Sequence, residues 1–148
     1  MKPAPAVRVL PPDLLARASL VGNEYAWAIS DIPGVIEATR AANLVSVGGQ
    51  LQFRLPDGGT CECYWVEVDT YKSVDKAMPW NERVIATAEA ASRDFGALQK
   101  RFDFMGEGRK AFPGYLDKLL ADGRDPADAM CFVWDVLCED QASAKGRL

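Results

Sequence analysis

The chain of 148 residues contains no histidine, and this absence removes several kinds of catalytic and metal site. A Ser-His-Asp triad, a Cys-His pair, a histidine general base and a Cys₂His₂ zinc site each need at least one imidazole. A chain of this length buries roughly 68–70% of its unfolded surface. One hydrophobic core therefore suffices, and neither a disulfide nor a metal ion is needed to hold it together.

Basic side chains are also too few for a nucleic-acid-binding protein. The sequence has 17 lysines and arginines against 21 aspartates and glutamates, which gives a formal net charge of -4. Neither residues 1–102 nor residues 103–148 hold an excess of basic side chains, whereas phosphate neutralisation requires a basic stripe. An acidic protein is better suited to a basic protein partner, which its charge can steer into contact.

Long apolar runs are absent as well. The longest uninterrupted one, residues 129–134, has six residues, far below the ~20 that a membrane span needs. The first residues lack the apolar centre of a signal peptide. We therefore expect a cytoplasmic protein that binds no membrane and keeps its four cysteines reduced.

What is present indicates a single α+β domain over residues 1–148, because 49% apolar and 26% charged residues are ordinary globular proportions. Four prolines predict an extended arm over residues 1–12, which ends in a helical turn near residues 13–18. Apolar stripes at helical spacing predict helices over residues 32–42, 80–102 and 115–121. Residues 103–148 are predicted to be a helical extension, with a buried helix over 126–138 and a central strand over 130–137 as the alternative.

Alternating apolar and polar residues predict two antiparallel strands, residues 45–55 and 60–71. Asp57-Gly58 lies between them and is typical of a two-residue type I′ turn. That turn sets Leu55 opposite Thr60 and Leu51 opposite Tyr64, so Tyr64, Val66 and Val68 are expected to face the core. The opposite face then holds Cys61, Cys63, Trp65, Glu67 and Asp69, beside Gln50, Gln52 and Arg54. The predicted fold is a β-hairpin or small sheet packed against several helices.

Two short motifs on these strands have both a structural and a chemical interpretation. Gly48-Gly49 lacks the Gly-Lys-Ser/Thr ending of a phosphate loop, so we interpret it as a bulge or a close backbone approach. Cys61-x-Cys63 could join Cys131 and Cys138 at a metal or take part in redox chemistry. The usual C-x₂₋₄-C spacing is missing, however. No metal or other cofactor is therefore predicted.

The polar strand face is the best candidate for contact with a partner. A tryptophan ringed by amides and carboxylates resembles the centre of a protein interface. The predicted partner-binding residues are Gln50, Gln52, Glu62, Trp65, Glu67 and Asp69. The same carboxylates could instead serve general acid–base catalysis or form a plain solvated surface, and the 80–102 helix could cover Trp65.

The order of motifs over residues 20–102 resembles a family of bacterial proteins. It comprises Asn23-Glu24 followed by Trp27, a helix, a strand ending in Gly48-Gly49, and a helix that starts at Trp80. This pattern is similar to immunity proteins of polymorphic toxin systems, nearest the immunity protein 40 family. Gln50 stands where that pattern has an acidic residue, and residues 103–148 lie outside the likeness.

The resemblance implies a non-catalytic protein that binds and neutralises a cognate toxin, a basic one if charge guides the encounter. No catalytic residue is then required. Two other functions remain open at this stage: a small enzyme that uses carboxylates or a cysteine, and a phage or regulatory adaptor that binds some other protein. The sequence does not specify the oligomeric state.

Overall fold

A computed structural model describes residues 6–146, and the side chains up to residue 142. Within that range the helices are α1 (Pro12–Ala16), α2 (Ile32–Ala41), α3 (Trp80–Arg101), α4 (Phe104–Ala111), α5 (Pro113–Ala121) and α6 (Glu139–Gly146). The strands are β1 (Ser19–Val21), β2 (Glu24–Trp27), β3 (Val45–Arg54), β4 (Thr60–Asp69), β5 (Met130–Val133) and β6 (Asp135–Leu137). The predicted α+β class is confirmed, as is its arrangement as a single domain.

The sheet is antiparallel throughout, with the strand order β1-β2-β5-β3-β4 and with β6 pairing the first part of β3. Helices α2 and α3 pack against one face of this sheet and against each other, and α4 contacts β4. We call the helix-covered face the inner face and the opposite one the outer face.

Aromatic side chains fill the core between the helices and the inner face. Phe95 of α3 meets Phe132 of β5 edge to face, with ring centroids 5.1 Å apart, a favoured geometry for aromatic pairs. The three buried indoles each donate to a hydrogen-bond acceptor. Trp27 donates to the carbonyl of Leu14, Trp80 to the carbonyl of Asn43 and Trp134 to the hydroxyl of Ser46. Within the described residues, no buried side-chain nitrogen or oxygen lacks a hydrogen-bond partner.

The predicted helix over 126–138 is wrong, and the strand alternative is the correct one. Asp125 does cap a turn, since its side chain accepts from the amide of Ala127, but that turn is a short 3₁₀ segment, Pro126–Asp128. The chain then enters β5 between β2 and β3. A strand buried on both faces is apolar throughout, so periodicity alone cannot separate it from a buried helix. Residues 103–148 are consequently not a purely helical extension.

The N-terminal arm also differs from the prediction. Residues 1–5 lie outside the described residues, and Ala6–Val9 form a 3₁₀ turn rather than extended chain. Ala6, Val7 and Leu10 are buried in the main core. The helical turn predicted after the arm is confirmed as α1.

The hairpin register is one residue away from the predicted one. The two-residue turn is wrong, because Arg54 pairs with Thr60 and five residues, 55–59, connect the strands. Leu55 and Gly59 close this loop through an amide-to-carbonyl bond of 2.8 Å. Cys61 and Cys63 therefore face the core, contrary to the prediction, at 2% and 0% exposure.

A large bulge then restores the predicted facing for the rest of β4. Gln50 pairs with Glu67 and the next residue, Leu51, pairs with Cys63. Strand β4 thus has three extra residues, Tyr64, Trp65 and Val66. Because this number is odd, the bulge reverses which of the alternating side chains face the core. Val66 and Val68 face the core as predicted, whereas Tyr64 does not.

Candidate protein-binding face

The outer face is distinct from the inner one because no helix contributes to its apolar centre. Ala26, Cys131 and Val133 form a small buried cluster there, made of strand residues alone. Carboxylates surround this centre, and they come from strands that are distant in sequence. They are Glu24 on β2, Glu62, Glu67 and Asp69 on β4, and Asp135 on β6.

A cleft of about 200 Å³ opens on this face above Gly48-Gly49. Among the described residues that line it, four are carboxylates (Glu24, Glu67, Asp69 and Asp135) and none is a lysine or arginine. A cleft lined by charges of one sign concentrates their electric field.

The two glycines line the cleft where the backbone of β3 approaches the neighbouring strands closely. A Cβ added to Gly49 would lie 1.5 Å from the carbonyl oxygen of Val133. Gly48 has a φ of +133°, and a Cβ there would lie 1.9 Å from the carbonyl oxygen of Val68. The close backbone approach is confirmed, with a register irregularity between Ser46 and Gly48.

Gln52 takes a supporting role that differs from the predicted one. It is only 1% exposed, so it is not available for direct contact with a partner, contrary to the prediction. Its amide nitrogen donates to the carboxylate of Glu62 at 3.3 Å, and its amide oxygen accepts from Arg54 at 3.2 Å. Gln52 thus orients Glu62 across the strand pair.

Arg54 continues this network across the sheet. Its guanidinium donates to the carbonyl and hydroxyl oxygens of Ser19, at 2.7 and 3.0 Å, and to the carbonyl oxygen of Glu24 at 3.1 Å. The side chain of this arginine is therefore committed to joining β3 to the β1–β2 hairpin. Arg54 is not among the residues that line the cleft, so its positive charge lies outside it.

The remaining predicted contact residues lie on the outer face and reach solvent. Gln50 is half-buried and pairs with exposed Glu67. Asp69 forms an ion pair with Lys72 at 3.8 Å, and such exposed pairs contribute little to stability. The structure therefore brings Gln50, Glu62, Glu67 and Asp69 together on one surface.

Trp65 is exposed, so the alternative that the helix over residues 80–102 covers it is wrong. The indole is 38% exposed and stacks edge to face with Tyr64, at a centroid separation of 5.2 Å. The other three tryptophans, Trp27, Trp80 and Trp134, are each at most 6% exposed. Trp65 is therefore the accessible indole of this chain.

Sequence reasoning missed Glu24 and Asp135 as members of this face. Glu24 lies on a strand that the pattern did not predict, and Asp135 lies where a buried helix was predicted. The signal that could have found Asp135 is its position as the one charged residue inside the apolar segment from Met130 to Leu137.

The three buried cysteines, Cys61, Cys63 and Cys131, have no reactive environment. Burial raises the pKa of Cys63 to about 11 and that of Cys131 to about 11, and it also raises the pKa of Cys61. Reactive thiols instead have a lowered pKa and an accessible sulfur. No three cysteine, aspartate or glutamate side chains in the described part of the chain are grouped so that they could hold a metal ion.

Comparison with known proteins gives no match to a family model, to a curated protein or to a solved structure. None of the helices within residues 6–146 combines the length and the hydropathy that crossing a lipid bilayer requires.

Proposed function

We propose that this chain is a non-catalytic immunity-type protein that binds and neutralises a cognate bacterial toxin with its acidic outer face. The observation that carries the proposal is the outer sheet face, whose buried apolar cluster comes from strands alone. Among the described residues, its cleft is lined by four carboxylates and by no lysine or arginine. The order of motifs over residues 20–102, which resembles that of the immunity protein 40 family, supports the same proposal. Such a protein would act in the cytoplasm of the toxin-producing cell.

The charge of the face favours a basic toxin. Toxic nucleases carry basic surfaces because they bind phosphates. An acidic protein surface can bind the same basic side chains. Electrostatic complementarity of this kind raises the association rate and selects the partner. Glu62, Glu67 and Asp69, joined by Glu24 and Asp135, supply this charge, while Trp65 supplies apolar contact area.

The direct test is protection of cells that express the toxin encoded by the neighbouring upstream gene. Wild-type protein should bind the purified toxin domain and restore growth, and the double variant with Trp65→Ala and Glu67→Lys should lose both properties. Losing a central aromatic residue costs at least ~2 kcal/mol of binding free energy, which is about a thirtyfold loss of affinity.

Glu89→Lys is the matched control, because it makes the same charge change at an exposed position of α3, away from the outer face. It should leave protection intact. Full protection by the double variant would refute the assignment of this face, and an upstream gene for a capsid protein or a metabolic enzyme would favour an adaptor instead.

A carboxylate enzyme is the second candidate, because Glu67 and Asp69 both line the cleft. Paired carboxylates are the machinery of glycoside hydrolysis. A screen of chromogenic glycosides separates the two functions: turnover that Glu67→Gln and Asp69→Asn abolish favours the enzyme, and absence of turnover together with toxin binding favours the immunity protein.

A further inference from the structure

The Tyr64–Trp65 pair is an exposed aromatic surface produced by a backbone irregularity. In a regular strand, consecutive side chains point to opposite faces, so one of the two rings would be buried. The bulge in β4 instead leaves both outside the core, Tyr64 at 69% exposure and Trp65 at 38%. Bulges often re-aim side chains next to functional sites.

The rings lie within an acidic segment of the edge strand. Exposed Glu62 precedes them and exposed Glu67 follows them on β4. The edge-to-face geometry of the pair, with an interplanar angle of 87°, places one ring's edge on the other ring's face. Both rings keep part of their surface exposed to solvent, and the carboxylates that precede and follow them on the strand favour a cation there.

Other aromatic rings of this chain already have a cation of their own. Lys76 lies 4.0 Å above the ring of Tyr71, and Arg83 lies 5.1 Å from the ring of Trp80. Among the described residues, none places a lysine or arginine over Tyr64 or Trp65 in this way. The pair therefore has the surroundings of a cation-binding aromatic surface, and no cation from the described part of the chain lies over it.

We infer that the Tyr64–Trp65 pair, flanked by Glu62 and Glu67, receives an arginine or lysine side chain of the basic partner. This inference rests on the proposed function and deepens it, because it names the group that the partner inserts. A guanidinium stacks on an indole face while its N–H groups reach carboxylates, so arginine satisfies both parts of the site. Charge complementarity of the whole outer face brings that side chain into range.

The first test uses two peptides and the full chain labelled with ¹⁵N. One peptide is rich in arginine, and the other carries citrulline, a neutral isostere, at the same positions. The indole N–H resonance of Trp65 should shift with the arginine peptide and at least fivefold less with the citrulline peptide, while those of Trp27 and Trp134 stay in place. Equal shifts with both peptides, or no shift with arginine, would overturn the inference.

The second test separates a cation–π contact from plain apolar contact in the complex with the toxin domain. Trp65→Leu and Tyr64→Leu keep apolar area but remove the aromatic faces, and both positions are exposed. Each should weaken toxin binding by about two- to fivefold, the size of an exposed cation–π contact. Tyr115→Leu, at an exposed tyrosine of α5, is the control and should bind like wild type.

The two proposals fail in different ways. If Glu67→Lys abolishes toxin binding while Trp65→Leu and Tyr64→Leu bind like wild type, the acidic face is correct and the inference about the aromatic pair is wrong. If wild-type protein binds no toxin but the arginine peptide still shifts the Trp65 resonance selectively, the inferred cation site stands and the proposed immunity function is wrong.

Discussion

At the scale of single residues, position 49 of the outer face has no room for a side chain and requires glycine. The backbone of β3 lies so close to that of β5 that a Cβ at Gly49 would overlap the carbonyl oxygen of Val133 at 1.5 Å. Backbone cannot move aside as a flexible side chain can. The close approach therefore shapes both the sheet and the floor of the cleft.

We expect Gly49→Ala to lower the free energy of unfolding by about 3 kcal/mol or more, the upper end of over-packing costs. Gly96→Ala is the matched control, because Gly96 lies within α3 and a Cβ there meets nothing within 4 Å. That change should raise the free energy of unfolding by roughly 0.5–1 kcal/mol, since alanine favours the helix. Urea titration of both variants measures the two effects, and equal stabilities would contradict this account.

At the scale of elements, the β1–β2 hairpin is joined to the rest of the sheet by its pairing with β5 and by a side chain of β3. All three residues of β1 are exposed, and a two-stranded hairpin is marginally stable by itself. Arg54 of β3 joins this hairpin through Ser19 and the carbonyl of Glu24. The position of Glu24 at the cleft depends on that connection.

Arg54→Met keeps most of the apolar stem and removes the guanidinium. Amides of residues 19–26 should then exchange hydrogen faster by at least about tenfold, because several hydrogen bonds worth ~1 kcal/mol each are lost. Amides in the middle of α3 should not change. Arg109→Met, at an exposed arginine of α4, controls for loss of positive charge. If amide hydrogen exchange in β1 and β2 did not change after Arg54→Met, the backbone pairing of β2 with β5 would be enough to hold the hairpin in place.

The elements differ in how well the sequence predicts them, for physical reasons. Helices α2 and α3 each have an apolar stripe on one side, and they appear close to the predicted residues. Strand β5 is buried on both faces, so its pattern carries no period and a helix was predicted instead. The loop at 55–59 and the bulge at Tyr64–Val66 depend on pairing with distant chain. Local turn residues therefore predicted the correct hairpin with the wrong register.

The residues of the candidate face also differ in whether a local sequence pattern predicts their position. Glu67 and Asp69 lie on the face that alternation predicts, and Trp65 is exposed. Gln52 was predicted as a contact residue, but it is buried and accepts a hydrogen bond from Arg54, whose side chain reaches across to β1. Glu24 and Asp135 join the face only through strand order, since β5 is placed between β2 and β3. No local pattern encodes that order.

At the scale of the whole molecule, the net charge of -4 is distributed unevenly, and the outer face concentrates like charges. Repulsion among these carboxylates opposes folding, and surfaces that serve binding retain such costs. Salt screens the repulsion, because the Debye length falls from about 30 Å at 0.01 M to about 3 Å at 1 M. The stability of the wild-type protein should therefore rise with salt, while its affinity for a basic toxin falls.

Glu67→Gln should change stability and binding in opposite directions. Removing one of the like charges at the cleft should raise the free energy of unfolding by a few tenths of a kcal/mol and flatten its dependence on salt. The same variant should bind the toxin domain more slowly at low salt, because an interface charge acts mainly on the association rate.

Glu89→Gln, on α3, should leave the association rate unchanged. Urea titration and stopped-flow binding at two salt concentrations measure both properties. If Glu67→Gln lowered both stability and binding, Glu67 would be a structural residue, and the acidic face would owe its charges to folding rather than to a partner.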